Sequence, residues 1–465
     1  MANGFKLTFC GAAESVTGSN FLVETDTAKV LVDCGISQGR DYVEKETYAP
    51  FPYDVPSIDA LVVTHAHLDH VGRCPKLIRE GFRGRVFMTA PTRDLTELIL
   101  RDSAHIMAED AERKQIPPLF DDKDVDAFLK LIEPVPYHEE IEIAPGVSVY
   151  LRNTGHILGS ASVRLKAADG TTLALTGDIG NSPSPLLPDW EAVPDADVLL
   201  MESVYGDRAH PPRADRDATL KDTLKRAIAR GGAILIPAFS IERTQLMLYE
   251  LSNFFEAGDL PKIPVFLDSP LAITVTEVYE KWGPTFFKPE AEEEMKREGS
   301  LFEFPFLTMT KSREESMEIG KAPNPKIIMA GAGMSHGGRI GRHEAEYLPD
   351  PSTTLFTVGY QAPGSPGRLI AEGAPTVRIE GHQVANRAHL ELLEGWSGHA
   401  DRDGLLEFAD AALKGGRTKV IFTALGEPSA ERFLAQRIHD YLGAKATVPT
   451  TGDSWQITKD GATRI

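Results

Sequence analysis

Cysteine is scarce in this chain. Its 465 residues hold three, Cys10, Cys34 and Cys74, and none stands in C-x-x-C spacing. An odd, sparse set of this kind predicts reduced thiols and a cytoplasmic protein. Long apolar runs are missing as well: none approaches the ~18–20 residues that a membrane span needs, so no membrane partner is expected. The opening Met1–Lys6 lacks the basic-then-apolar order of a secretory signal. Positive charge is the third shortage, with 49 Lys and Arg against 68 Asp and Glu, a net charge of −19. That balance counts against charge-driven adhesion to DNA or RNA. It leaves room for a nuclease, because bound metal ions and a few local arginines hold phosphates in a cleft.

What is present suits a soluble globular protein, with 42% hydrophobic and 25% charged residues. The length exceeds one ordinary core, so two or three domains are expected. No internal repeat or low-complexity tract stands out. Chemistry concentrates in Thr64-His65-Ala66-His67-Leu68-Asp69-His70, which follows the apolar run Ala60–Val63. That run is short and β-branched enough to be a buried strand, and Cys74–Ile78 beyond it reads as a helix start. Zinc takes imidazole nitrogen and carboxylate oxygen at ~2.0–2.2 Å. His65 and His67, two apart on a turning backbone, can reach one ion; Asp69 and His70, diverging, can reach a second. The bland alternative is a polar loop with solvated histidines.

The same texture recurs along the chain. Phe5–Cys10 alternates like a strand, and Asn20–Glu24 with Lys29–Val32 reads as a hairpin ending in Asp33-Cys34-Gly35, followed by Gln38-Gly39. Asp33 fits either a helix cap or a carboxylate that orients metal ligands. Pro91 to about Gln115 reads as helix, with Glu109–Lys114 on a solvated face. Gly146–Leu151 is a strand that delivers His156 between glycines, which let backbone approach closely. Thr172–Thr176 ends at Asp178, where one carboxylate can bridge cations ~3.5–4 Å apart. Val198–Met201 ends at Glu202. Five strand-then-polar units of this kind predict a shared rim.

Near Asp207 the pattern changes, at a polar stretch with Pro211 and Pro212. Strands Ala233–Ile236, Pro264–Leu267, Lys326–Ala330 and Thr354–Val358 then alternate with helices Glu242–Phe255 and Ile273–Trp282. A charged segment, Glu292–Glu298, lies between. Such alternation predicts an α/β domain with a mostly parallel sheet. The first texture returns at Trp396-Ser397-Gly398-His399-Ala400-Asp401, followed by a strand, Lys419–Thr423, and a helix, Ala430–Tyr441.

Together these motifs resemble the metallo-β-lactamase fold, and within it the β-CASP nuclease branch, over nearly the whole chain. Asp33, the His65–His70 block, His156 and Asp178 match the general motifs in order; Glu202 and His399 match two that mark the branch. The RNA-processing members look most similar, with counterparts of Met201-Glu202-Ser203, Gly333–Arg339 (Gly-Met-Ser-His-Gly-Gly-Arg) and Val358-Gly359-Tyr360-Gln361. The resemblance implies an αββα sandwich with an inserted α/β domain, divided as 1–206, 207–385 and 386–465. It implies a zinc-dependent ribonuclease acting on single-stranded RNA, as an endonuclease, a 5′-to-3′ exonuclease or both. His65, His67, His156 and Asp178 would hold the first ion, and Asp69, His70 and Asp178 the second, with a hydroxide shared between them as nucleophile. His399, held by Glu202, would protonate the leaving 3′ oxygen, and Asp33 and Asp69 belong to the same catalytic set.

One departure stands out. The family's last motif places a ligating histidine before Gly-Glu, and here that position is Leu425 in Thr423-Ala424-Leu425-Gly426-Glu427. The expectation is a weaker second zinc site, and the DNA-processing branch shares the apolar residue. A DNA-directed nuclease and an impaired scaffold paralogue are therefore the alternatives, with a small-ester hydrolase less suited to the Glu202 and His399 pair. Arg339 after Gly337-Gly338, Arg243 at a helix start, Ser335, and Gln361 opening a rigid loop to Arg368 are candidate substrate contacts. Ordinary surface pairing is the competing reading for both arginines. The inserted domain would favour a single strand over a duplex. DNA as a second substrate and a homodimer stay open as partners. A first strand so near Met1 predicts no RNA-binding module before it.

Overall fold

The computed structural model describes residues 4–37, 47–335, 337–359, 361, 364–393 and 395–465. Met1, Ala2, Asn3, Gln38, Gly39, His336, Tyr360, Ala362 and Pro363, named above, lie outside the described residues. Packing divides the chain into one unit of residues 1–209 with 399–465 and a second of 210–398.

The first unit is built on two sheets. The larger runs in the order Gly461–Arg464, Ser454–Thr458, Phe5–Gly11, Asn20–Glu24, Lys29–Val32, Ala60–Val62, Arg85–Met88, Ile132–Pro134. The other runs Ala446–Thr447, Val420–Ala424, Val198–Glu202, Thr172–Leu175, Ala161–Ala167, Val147–Asn153, Glu140–Ala144. Strand alternation explains how they stack, since successive side chains leave on opposite faces. Ala60 and Val62 join Phe5, Leu7, Phe9, Val149, Val163, Leu173, Leu200 and Phe422 in one core between the sheets. Leu61 and Val63 point the other way, against Leu77, Leu100 and Phe128 of a helical layer. Likewise Leu199, Met201 and Ile421 turn outward onto Leu405, Phe408, Leu434 and Ile438 of the helices Arg402–Lys414 and Pro428–Leu442. The result is a helix–sheet–sheet–helix sandwich. Its C-terminal strands complete both sheets, a pairing no local pattern announces.

The second unit carries a six-stranded sheet in the order Leu307–Met309, Val265–Leu267, Lys326–Ala330, Ala233–Pro237, Thr354–Val358, His389–Leu393. Every pairing in it is parallel. His389–Leu393 pairs with Thr354–Val358 and belongs to the inserted unit.

Helix limits differ modestly from expectation. Ala90–Lys114 is helical, with Thr89 accepting from the Thr92 N–H and Gln115 closing it at φ 54°. Glu109 and Glu112 on it are exposed. Pro270–Phe286 extends past both ends of the predicted Ile273–Trp282. Pro270 is tolerated in the first turn, where its missing N–H has no partner to lose, and the Ser269 hydroxyl accepts from Ala272 N at 3.2 Å.

Candidate metal centre and its histidine–glutamate pair

The predicted residues of the first unit converge where strands end. Asp33 follows Lys29–Val32, His65 follows Ala60–Val62, His156 follows Val147–Asn153, Asp178 follows Thr172–Leu175, and Glu202 ends Val198–Glu202. The chain must pinch to bring them together. A Cβ on Gly35 would lie 1.6 Å from the Asp69 carbonyl oxygen, so only glycine fits beside that turn. Asp33 itself sits at φ 59°, a conformation a side-chain-bearing residue holds only where its surroundings over-determine it.

What over-determines it is a ring of hydrogen bonds. Asp33 accepts from Thr64 N at 2.8 Å, from the Thr64 hydroxyl at 3.0 Å and from the Ser19 hydroxyl at 2.9 Å. Its Oδ2 lies 2.7 Å from His70 Nδ1. Asp33 thus contacts a histidine ring directly. With Nδ1–H donating there, His70 Nε2 is free to ligate. That nitrogen is fully buried and has no hydrogen-bond partner among the described residues; Oδ1 of Asp178 is 3.4 Å away.

Beside it, His65, His67, His156 and Asp178 each present a donor atom, all within 4.8 Å of one another. His67 Nδ1 lies 3.1 Å from His65 Nε2 and 3.2 Å from His156 Nε2. Asp178 Oδ2 is 3.3 Å from His65 Nε2 and 3.4 Å from His156 Nε2. Burial lowers the pKa of His65, His67 and His156, the last two strongly, and repulsion from neighbouring imidazoles adds to it. For Asp178, burial acts upward but its interactions with His70, His65 and His399 outweigh it and hold the carboxyl well below the usual range. Neutral imidazoles aimed with an ionised carboxylate at one point are a donor set that a divalent metal satisfies and that hydrogen bonding among themselves does not.

His399 adds a second grouping with Asp178 and Glu202. Its Nδ1 is 3.2 Å from Glu202 Oε2 and 3.9 Å from Asp178 Oδ2. Burial acts to lower its pKa, but Glu202 and Asp178 overcome this and push it up to about 9. Glu202 is wholly buried and its other oxygen accepts from Ile179 N–H, so the carboxylate is fixed before any substrate arrives. Leu425, which stands where the β-CASP resemblance implies a histidine, is packed in the inter-sheet core and 1% exposed.

The expected substrate contacts lie in the second unit, each with partners there. Arg339 donates to Asp268 Oδ1 at 2.7 Å and to the carbonyls of Thr310 and Lys311. Arg243 donates to the Trp396 carbonyl at 3.1 Å. The Ser335 hydroxyl donates to Glu344, and Gln361 donates to the Gly333 carbonyl. Sequence reasoning gave no role to Thr64 or Ser19. Thr64 stood beside His65 in the motif, but its use depends on Asp33, 31 positions away.

Comparison with known proteins agrees with this geometry. Residues 16–238 match the metallo-beta-lactamase superfamily, 244–370 the Beta-Casp domain, and 384–449 the Zn-dependent metallo-hydrolase RNA specificity domain. The chain is 39% identical to Ribonuclease TTHA0252 of Thermus thermophilus, over 86% of this chain and 89% of that one. It is 32% identical to the transcription termination factor FttA of Methanosarcina mazei, over 94% of this chain and 69% of that one. A crystal structure of a protein of unknown function from Enterococcus faecalis V583 shares the fold, with a TM-score of 0.55 at 12% identity, over 97% and 99% of the two chains. The chain belongs to the metallo-β-lactamase superfamily, in its β-CASP branch of metal-dependent hydrolases.

Proposed function

We propose that this protein is a zinc-dependent ribonuclease that hydrolyses phosphodiester bonds of single-stranded RNA in the cytoplasm. The observation that carries the reading is the buried His–Asp cluster with the His399–Glu202 pair 3.2 Å apart beside it. The 39% identity to a named ribonuclease over most of both chains supports RNA over DNA. The free thiols of Cys10, Cys34 and Cys74 support a reducing compartment.

His65, His67, His156 and Asp178 would hold one zinc ion, and Asp69, His70 and Asp178 a second. Bound there, the metal supplies Lewis acidity and activates water near neutral pH. The chain's own residues do the rest. Asp33 fixes the His70 ring through Nδ1, with Thr64 and Ser19 holding Asp33. Glu202 fixes the His399 ring in the same way and favours its charged form. The proton on His399 Nε2 then passes to the 3′ oxygen as the P–O bond breaks, the role a general acid of raised pKa suits. Leu425 contributes no donor, so the second ion is held more weakly than the first. Zinc counted per protein at rising free metal should show two affinity classes; one class of two equal sites would refute this.

The deciding experiment is cleavage of matched single-stranded RNA and DNA by zinc-loaded protein, with His67→Ala as control. RNA cut and DNA spared supports the proposal. DNA cut equally well or better moves the protein to the DNA-directed reading, and no cutting beyond the control leaves a scaffold.

A further inference from the structure

Beside His399 the surface of the first unit changes character. The Tyr205 ring lies 6.4 Å from the His399 ring, and the Arg208 guanidinium sits 5.5 Å from the Tyr205 centroid. This turn rests directly on the helix Pro428–Leu442. A Cβ on Gly206 would meet the Ala430 carbonyl at 2.8 Å and Leu434 Cβ at 2.9 Å. On the same helix Phe433, Arg437 and Tyr441 are spaced i, i+4, i+8 and so share one face. The Arg437 guanidinium lies 4.7 Å from the Phe433 centroid and 5.2 Å from that of Tyr441, and it donates to Tyr441 Oη at 2.9 Å.

Charge sorts these residues. Arg208 is paired with Asp207 at 2.8 Å, and nearby Arg402, whose N–H donates to the Arg208 carbonyl, is paired with Asp403 at 2.7 Å. Arg437 has no carboxylate in ion-pair range among the described residues, and Asp440 on its helix takes the Gln436 amide instead. Tyr441 is 67% exposed, a large aromatic left in water at the end of the row.

We propose that Tyr205, Arg208, Phe433, Arg437 and Tyr441 form a stacking track that carries single-stranded RNA away from His399. The inference rests on the ribonuclease reading. Unpaired bases stack on aromatic rings and on guanidinium planes whatever their identity. A chain with a net charge of −19 has little long-range pull on a polyanion, so its grip on RNA must come from contacts of this short-range kind. Arg437, with no carboxylate in ion-pair range among the described residues, supplies one phosphate contact between two base platforms. The continuity from Tyr205 onto the helix gives the track its direction.

The test is fluorescence anisotropy with labelled oligouridylates of twenty and four nucleotides, in a His67→Ala background so that the probe is not consumed. Phe433→Ala/Tyr441→Ala should weaken binding of the twenty-mer about 10- to 100-fold, with the four-mer, confined near His399, bound as before. Arg437→Ala should lower the slope of log Kd against log salt by ~0.7. Tyr441→Trp, at an exposed position that leaves the core untouched, should keep the affinity. The track is refuted if every variant binds the twenty-mer within twofold of the parent, or if four-mer and twenty-mer lose affinity equally. Should the zinc-loaded parent cut no RNA, the ribonuclease reading fails alone, and the same anisotropy ratios still decide for or against the track.

Discussion

Two clusters built from the same residue types sit at strand ends in the two units, and they are opposites. In the first unit, four imidazoles and Asp178 gather with donors left over: His70 Nε2 is buried without a hydrogen-bond partner among the described residues, and His67 Nδ1 faces two other ring nitrogens at 3.1 and 3.2 Å. In the second unit, Asp268 directly follows Val265–Leu267 and is wholly buried, yet its oxygens are saturated. Oδ1 accepts from Arg339 and Thr310, both at 2.7 Å, and Oδ2 from Ser316 at 2.5 Å and from His343 at 2.7 Å. Arg342 stands 3.4 Å from the same oxygen. Burial acts to raise the Asp268 pKa, but hydrogen bonds from His343, Ser316, Arg339 and Thr310 outweigh it. A carboxylate met by that many donors is a structural knot; imidazoles that meet each other lone pair to lone pair are a site waiting for a cation.

Substitutions should separate the two. His67→Ala should abolish metal uptake at the first position and with it activity, while changing the stability of the metal-free protein by under ~1 kcal/mol. Asp268→Ala should do the reverse, costing ~3–5 kcal/mol because two guanidinium groups lose their counter-charge and His343 loses its hydrogen-bond partner, with zinc content per folded protein unchanged. Denaturant melts and metal analysis on both variants check this, and equal stability losses would dissolve the distinction. Next in size, His399→Ala should lower RNA cleavage ~10²- to 10⁴-fold at unchanged zinc content; a loss of zinc instead would move His399 from proton donor to ligand.

Asp33→Asn should weaken metal binding ~10–100-fold by loosening the His70 ring, read by competition with a chromophoric chelator. The smallest effect belongs to Glu344, on the helix Gly338–Tyr347 that also supplies Arg339 and His343. Burial raises its pKa to about 7, although the Ser335 hydroxyl bonds to it and acts downward. From about pH 4.5 to 7 the folded state then holds a proton the unfolded chain has released, so this contribution is full in acid and is lost as pH rises through 7. Glu344→Gln should therefore gain on wild type by about 1–3 kcal/mol between pH 4.5 and 8. A constant difference across that range would show that the carboxyl is not buried as the fold has it.

The same contrast explains what could be read in advance. His65, His67, Asp69 and His70 announced themselves because one turn after one buried strand carries them all, and His156, Asp178 and Glu202 because each ends its own apolar run. Arg339 was harder. After two glycines it has the surroundings of a phosphate contact, and only the fold reveals that Asp268, 71 positions away, already holds it.

The sequence by itself determined the αββα sandwich with its α/β insertion, which His and Asp side chains stand at strand ends, and the absence of a donor at Leu425, because strand ends and residue types are local properties of the chain. Tertiary structure alone decided which polar groups remain unsatisfied: that Thr64 and Ser19 fix Asp33, that His399 meets Glu202 across 197 positions, and that Arg437 lies between two rings with no carboxylate in ion-pair range among the described residues. Satisfaction is a matter of three-dimensional counting, in which each donor is assigned once, and no spacing along the chain performs that count.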